Sequence, residues 1–299
     1  MRSLYGPVFF FGFIGAATVI VTHGASPGWL LLLLVAAIIV SALCERLWPY
    51  RPGWNESHND RVRDALHAGV NESLNILSVA AIPFIALLLP DFGVWPRHWP
   101  IALQLLLALP IADLGITLVH YASHRSALLW RLHAVHHSVT RLYGFNGLMK
   151  HPLHQLLEAL GGTLPLLLCG LPQDVTALLA FSISIQLLLQ HSNVDMQIGP
   201  LRHVFAWAPV HRLHHLKYGR NGDVNFALFF SPWDRVLGTA LHLPDYRLAE
   251  DDLGIGDSPD YPVDYWDQLR QPFAGAAATH PPAPLPAGLR DALADHVKL

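Results

Sequence analysis

Residues 99–124 read WPIALQLLLALPIADLGITLVHYASH, an apolar run that ends on two histidines. The run is long enough for a helix to cross the hydrocarbon core of a bilayer, for which about 20 residues are needed. His120 and His124 are four residues apart, so on a continuing helix both imidazoles project from one face. The segment therefore predicts a membrane helix that presents nitrogen ligands at one end.

The rest of the chain agrees with a membrane protein. Of its 299 residues, 52% are hydrophobic and only 14% are charged, which is too apolar for an ordinary soluble enzyme. Further membrane-embedded helices are predicted at 6–25, 28–44, 74–89, 156–171 and 175–190. The last two runs are short and form either a re-entrant or a tilted hairpin. The predicted fold is an all-α bundle of about four to six membrane-embedded helices.

Charge and cysteine content exclude several classes of protein. The net charge is only -3, so there is no large basic field and nucleic acid is not an expected partner. Cys44 and Cys169 lie in separate apolar runs without C-x-x-C spacing. This spacing argues against a zinc ribbon, a redox pair or a disulfide framework.

Basic residues concentrate in the connections after the second and fourth spans, while the connections after the first and third spans have almost none. They are Arg46, Arg51, Arg61, Arg63, Arg125, Arg131, Arg141 and Lys150. Basic loops remain on the cytoplasmic side of a membrane. We therefore expect a multi-pass protein whose termini and histidine-rich metal-binding cap face the cytoplasm.

The pattern His-x-x-His-His occurs twice in the chain. It comprises His133, His136 and His137, and then His211, His214 and His215. Offsets of three and four place each triple on one stripe of a helix. Imidazole is a good ligand for first-row metals, and eight histidines, counted with the first pair, exceed what one tetrahedral ion accepts. The pattern predicts a centre of two metal ions.

Three other histidines are further candidates. His191 ends an apolar run and precedes Ser-Asn. His151 and His154 lie in KHPLHQ, where Pro152 favours a helix start. Each of these two is a candidate for a metal ligand, for a hydrogen-bond partner of a ligand, or for a group on the substrate side.

From Asp113 to Thr239 these motifs occur in an order that resembles the fatty acid hydroxylase and sterol desaturase superfamily. The matching elements are Asp113 seven residues before His120, the pair in HYASH, and the segments LWRLHAVHHS, KHPLH, QHSNVDMQIGPLRH, APVHRLHH and SPWDRVLGT. The resemblance covers somewhat under half of the chain, and the flanking spans fit the family's organisation.

This resemblance implies a membrane-bound, non-haem diiron oxidoreductase that uses O2 to hydroxylate or desaturate a lipid C–H bond. The substrate would be a fatty acyl chain, a sterol or a related hydrophobic molecule that reaches the metals from the bilayer. All nine of His120, His124, His133, His136, His137, His191, His211, His214 and His215 would be metal ligands and catalytic. An external electron donor, of ferredoxin or cytochrome type with its reductase, would dock from outside the membrane.

Polar residues near the motifs are expected to accept the outer imidazole N–H groups and fix the tautomers. They are Asp113, Asn193, Asp195, Asp223, Asn225 and Asp234. The predicted division of the chain is 1–98 for the N-terminal membrane helices, 99–242 for the catalytic domain and 243–299 for a C-terminal region. The C-terminal region has a Pro/Ala-rich tail, predicted to be disordered except for a short final helix.

Two other functions remain open at this stage. A membrane zinc hydrolase would normally carry a carboxylate base in His-Glu-x-x-His, a motif that the sequence lacks. A non-catalytic metal carrier or sensor would place polar ligands in mid-membrane, whereas these histidines lie at span ends. Within the superfamily, we predict hydroxylation in preference to desaturation, because hydroxylation requires only one C–H bond to be aligned.

Overall fold

The structure is a computed structural model that describes residues 2–26, 28–274, 280–281 and 283–297. Within these residues there is no β-strand, and extended segments pair only through isolated bridges such as that of Pro49 with Val194. The prediction of an all-α fold is confirmed.

The described residues contain eleven α-helices, which are joined by loops and short 3₁₀ turns. They are α1 (Arg2–Thr22), α2 (Gly28–Leu47), α3 (Arg61–Ala86), α4 (Ile101–Arg125), α5 (Ala127–His137), α6 (Pro152–Leu168), α7 (Gln173–Gln190), α8 (Ala208–His211), α9 (Pro232–Leu237), α10 (Tyr265–Arg270) and α11 (Ala287–Val297). Helices α1 to α4 and α7 are long and apolar enough to cross a membrane. Helix α6, with 17 residues, is shorter. The chain is therefore an integral membrane protein.

Helix α3 begins well before the predicted third span. The apolar run predicted a span from residue 74, whereas α3 starts at Arg61. Two charged residues of its first turns, Arg63 and Asp64, are buried, and Arg63 Nη2 lies 2.7 Å from Asp64 Oδ1. The Tyr143 hydroxyl donates to the other oxygen of Asp64 at 2.7 Å. These turns therefore pack inside a polar cap, and the apolar part of α3 continues into the bundle.

Glycines bring α4 and α6 into backbone contact. A Cβ atom at Gly115 would lie 2.0 Å from the carbonyl oxygen of Gly161. Small residues allow membrane helices to approach this closely. The contact brings the first turn of α6 beside the end of α4, where His154 Nε2 lies 2.9 Å from Ser123 Oγ.

A buried carboxylate joins the bundle to the cap. Asp113 in α4 is fully buried, and its oxygens accept the backbone N–H groups of Leu228, Phe229 and Phe230 at 3.0, 2.9 and 2.8 Å. Charge-assisted hydrogen bonds of this kind are about twice as strong as neutral ones. They fix residues 228–230 against α4, which ends in the two histidines.

Several basic residues counted in the topology prediction are internal. Arg141 pairs with Asp60 through two nitrogens at 2.6 and 2.7 Å, and Lys150 Nζ lies 2.5 Å from Glu158 Oε2. These side chains are buried, as is Arg63. They stabilise the cap and do not report on the membrane side, which remains a prediction.

The C-terminal region packs onto the cap. Leu289 of α11 is fully buried in an apolar cluster that includes Leu213, Leu241 and Leu248. The predicted short final helix is present as α11, which the burial of Leu289 holds against the cap. Disorder of the Pro/Ala-rich stretch 271–288 stays a prediction. Residues 275–279 and 282 lie outside the described residues. The division into three regions stays a prediction.

Candidate metal centre

The end of α4 brings the first two histidines into the cap. Ser126 ends α4 and caps α5, accepting the Leu129 N–H at 3.5 Å, so the two helices follow each other directly. His120 Nε2 lies 2.9 Å from His214 Nε2, and His124 Nε2 lies 3.2 Å from His137 Nε2. The imidazoles of α4 therefore face those of both later triples.

The three histidines of the first triple, His133, His136 and His137, belong to two separate groups of imidazoles. Successive residues of an α-helix are rotated by about 100°, so His136 and His137 point in clearly different directions. His137 Nε2 lies 3.0 Å from His133 Nε2, while His136 Nε2 lies 3.1 Å from His191 Nε2. The three histidines lie on one face of α5, and this face is wide enough for them to contribute to two groups.

The second triple is not on a continuous α-helix. His211 ends the four-residue helix α8, and His214 and His215 lie in the 3₁₀ turn that follows. His215 Nε2 lies 3.2 Å from both His211 Nε2 and His191 Nε2. His191 directly follows α7 and is its C-cap residue.

The nine histidines predicted as ligands thus form two groups, in each of which the ligand atoms lie within 4.8 Å of one another. The five-histidine group contains His120, His124, His133, His137 and His214, and the four-histidine group contains His136, His191, His211 and His215. Each side chain is buried or nearly so.

Backbone carbonyls bind the outer nitrogen, Nδ1, of several rings and so turn the other nitrogen, Nε2, toward the centre of the group. His120 Nδ1 lies 2.7 Å from the Phe226 carbonyl oxygen, and His214 Nδ1 lies 2.8 Å from that of Val224. A carbonyl only accepts, so each Nδ1 carries the hydrogen, and Nε2 of the neutral ring presents a lone pair. The two Nε2 atoms that face each other at 2.9 Å therefore both present lone pairs. They repel each other unless a cation lies between them.

The four-histidine group repeats this arrangement. His136 Nδ1 donates to the Met149 carbonyl oxygen at 2.9 Å and His191 Nδ1 to that of Leu187 at 3.0 Å. Their Nε2 lone pairs face each other at 3.1 Å. Both groups consequently require a positive charge at their centres.

A proton does not meet this requirement. Burial lowers the pKa of His136 and of His214 well below the usual value, and neighbouring imidazoles lower both further. A metal ion fits better. Two imidazole nitrogens bound at right angles to one ion, each at about 2.1 Å, are about 3.0 Å apart, and the facing Nε2 atoms are 2.9 to 3.2 Å apart. The donor set therefore fits two metal ions.

His151 and His154 lie outside both groups. His151 caps α6, its Nδ1 accepting the Leu153 N–H at 3.2 Å. The ring of His154 lies 4.4 Å from that of His133, and its Nδ1 is 3.8 Å from Glu158 Oε1. The structure thus places His154 beside the centre and His151 at a helix end.

Three of the six predicted polar partners act near the histidines. Asp223 Oδ1 lies 2.9 Å from His124 Nδ1. Asp234 accepts the N–H of Phe226 at 2.6 Å, which positions the carbonyl that binds His120. The backbone carbonyl of Asn225, rather than its side chain, faces an imidazole: it lies 3.4 Å from His211 Nδ1.

The other three predicted partners hold the protein scaffold. Asp113 accepts only backbone N–H groups in the cap and one hydroxyl. Asn193 donates to the Arg51 carbonyl oxygen at 2.9 Å, and Asp195 pairs with Arg2 at 2.9 Å. The prediction that these three accept imidazole N–H groups is wrong, because main-chain carbonyls occupy that role for most of the rings.

Sequence reasoning missed the Lys150–Glu158 pair. A cavity of about 200 Å³ lies between α3, α6 and α7. Five residues line both this cavity and the small space bordered by histidines of both groups: Ile116, Lys150, Glu158, Leu187 and Leu228. The available signal was Glu158, an acidic residue inside the apolar run 156–171, because ionisable residues in membrane segments mark functional sites.

Comparisons with known proteins agree with this site. The fatty acid hydroxylase family model matches residues 105–239. Ornithine lipid hydroxylase OlsE of Rhizobium tropici is 34% identical over 256 residues, which cover 82% of this chain and 76% of that protein. Sphinganine C4-monooxygenase 2 of Arabidopsis thaliana is 32% identical over 146 residues, 47% of this chain and 55% of that protein. No solved structure matches the chain.

A more distant relative extends the range of lipids. Methylsterol monooxygenase 1 of Rattus norvegicus is 27% identical over 170 residues, 55% of this chain and 55% of that protein. A histidine-rich double group at the end of membrane helices is the arrangement expected of an iron-dependent membrane oxygenase. The chain belongs to the fatty acid hydroxylase family, and its relatives are oxygen-dependent enzymes of lipid metabolism.

Proposed function

We propose that the protein hydroxylates a membrane lipid with O2 at a centre of two iron ions. The observation that supports this most directly is the pair of buried histidine groups, in which Nε2 lone pairs face each other at 2.9 to 3.2 Å. The five-histidine group would hold one iron and the four-histidine group the other. Bound iron would supply the activation of O2 and the oxidising power needed to attack an unactivated C–H bond.

The residues of the chain provide a dry environment and an approach for the substrate. The cavity walls are mainly apolar, so they exclude water and accept a lipid chain. Lys150 and Glu158 stand where the cavity meets the histidines, with Nζ and Oε2 2.5 Å apart. This pair would hold a proton close to the site of O2 reduction, which consumes protons.

A second opening lies on the other side of the five-histidine group. Its lining includes His124, Trp130, Lys217 and Asp223, and its volume is about 330 Å³. An external donor of ferredoxin or cytochrome type would deliver electrons at this polar face. The exposed basic residues Arg61 and Arg131 favour the cytoplasmic side for it.

Ornithine lipid is the first substrate to test, because the relative that hydroxylates it matches most of this chain. We propose hydroxylation in preference to desaturation, because hydroxylation requires only one C–H bond to be aligned with the oxidant.

The test is a purified, detergent-solubilised protein assayed for metal, O2 consumption and product. We expect two irons per chain, and a lipid product that carries one labelled oxygen atom from ¹⁸O2. A product two mass units lighter and without label would mean desaturation. Zinc in place of iron, with a hydrolysed product, would overturn the proposal.

A further inference from the structure

We propose that Glu72 binds a cationic headgroup of the substrate, so that the enzyme selects amine-bearing lipids. This inference rests on the proposed function and names the substrate class for the same site. Its ligand is a lipid with a primary ammonium or a guanidinium group.

Glu72 is an acidic residue in the apolar half of the bundle. It lies near the middle of α3 and lines the cavity whose wall shares five residues, Lys150 and Glu158 among them, with the space beside the histidines. An ionised carboxylate within a membrane segment is costly unless a cation or several hydrogen-bond donors stabilise it. Such residues therefore face a pathway or a ligand in most membrane proteins.

The structure supplies hydrogen bonds to Glu72 but no cation. Ser184 Oγ lies 3.2 and 3.3 Å from its two carboxylate oxygens, and Asn75 is a second hydrogen-bonding neighbour. Among the described residues no Lys, Arg or His forms an ion pair with Glu72, and Lys150 is already paired with Glu158. The carboxylate thus keeps room for a positive group from a ligand.

The position of Glu72 suits a substrate that spans the cavity. Its partner Ser184 lies seven residues before His191 on α7, which is about 10 Å along the helix. A single lipid can therefore contact Glu72 and still extend to the four-histidine group. The cavity lining includes further polar residues, Ser78 and Gln155 among them, but most of it is apolar. A lipid with a polar headgroup and an apolar chain suits such a mixed lining.

Charge selects the ligand class. A neutral sterol would leave Glu72 without a counterion, and an anionic phospholipid would bring like charge to it. An ammonium group forms a charge-assisted hydrogen bond, which is the stronger kind.

The experiment measures equilibrium binding of two fluorescent lipids to the iron-loaded protein in detergent. One is an ornithine lipid with its free amine, and the other is the same lipid with that amine acetylated. We expect the free amine to lower Kd by about tenfold or more in the wild type. Glu72→Gln should remove this preference, and Glu72→Asp should keep part of it.

Ser73→Ala is the matched control, because Ser73 is exposed on the same helix and does not line the cavity. It should retain the full preference with unchanged iron content. A wild-type protein that binds both lipids equally would overturn the inference, whether or not the variants fold. So would a Glu72→Gln variant that is correctly loaded with iron and still prefers the amine.

Failure of this inference is distinguishable from failure of the proposed function. Turnover with ¹⁸O2 incorporation and no preference for the amine would leave the hydroxylase intact and remove the role of Glu72. Amine-selective binding without oxygen-dependent turnover would keep the role of Glu72 and remove the proposed hydroxylase activity.

Discussion

Replacing Asp113 by Asn tests how the bundle holds the metal centre. The wild-type carboxylate accepts three N–H groups, two at Oδ1 from Leu228 and Phe229 and one at Oδ2 from Phe230. An asparagine has a single acceptor oxygen, and its amide nitrogen can only donate. In its better orientation the Asn oxygen keeps two bonds, and its NH2 group faces the N–H of Phe230.

The cost follows from these contacts. A buried N–H left without a partner costs about 1–3 kcal/mol, and loss of the charge weakens the other two bonds, for a total of roughly 2–4 kcal/mol. Asp113→Ala loses all three bonds and should be less stable still. For a chain of 299 residues, Asp113→Asn should lower Tm by roughly 3–6 °C.

Thermal unfolding in detergent, with iron content measured in parallel, provides the assay. Asp174→Asn is the control, because Asp174 is exposed in the first turn of α7 and its charge contributes only about 0.3–1 kcal/mol. We expect iron content to fall with Asp113→Asn, since residues 228–230, which Asp113 holds, lie two positions after Phe226, whose carbonyl orients His120. An Asp113→Asn protein that melts with the wild type would show that these hydrogen bonds do not support the cap.

Three other outcomes are expected. Replacing any of the nine histidines of the two groups by Ala should abolish product formation while membrane insertion is unchanged, and His23→Ala, at an exposed position, should retain activity; full activity in the His136→Ala variant would contradict a two-metal centre. In a cysteine-free background, single cysteines that replace the exposed residues Arg61 and Arg131 should react with a thiol reagent from the cytoplasmic side, and a cysteine at Ser26 should react from the opposite side. Labelling of the first two cysteines from different sides would exclude the predicted membrane topology. Burial lowers the pKa of His136 and His215, so below about pH 6.5 the unfolded chain takes up protons that the folded chain does not. Tm should therefore fall when the pH is lowered from about 7.5 to about 5.5. A constant Tm over this range would refute neutral imidazoles in the folded protein.

Local spacing predicted most of the fold, because hydrophobic run length is decisive in a bilayer. The limits appear where polar contacts override it. Helix α3 starts at Arg61 since Asp64 neutralises Arg63 inside the cap, a pairing that no short-range pattern encodes. Likewise Lys150 is one of the basic residues that predicted a cytoplasmic connection, although it is buried against Glu158.

The candidate ligands were also readable from the sequence, but their surroundings were not. Motif spacing identified the nine histidines, whereas it suggested side chains such as Asp113 as their partners. Every residue has a backbone carbonyl, so the sequence does not indicate that those of Phe226 and Met149 accept hydrogen bonds from imidazoles. Only the fold brings these carbonyls to the rings.

The repeated His-x-x-His-His pattern has a geometric explanation in the two groups. Each His-His pair divides its members: His136 and His137 belong to different groups, and so do His214 and His215. Neighbouring residues are joined by a single peptide unit, so their Cα atoms stay 3.8 Å apart, as in any trans peptide. Two such pairs on facing segments therefore tie the two groups together at a nearly fixed separation. Single histidines from separate elements would let the groups move independently. The proposed centre, in which two metals would act on one O2 molecule, would gain from this constraint, because reacting groups have to be held within fractions of an ångström.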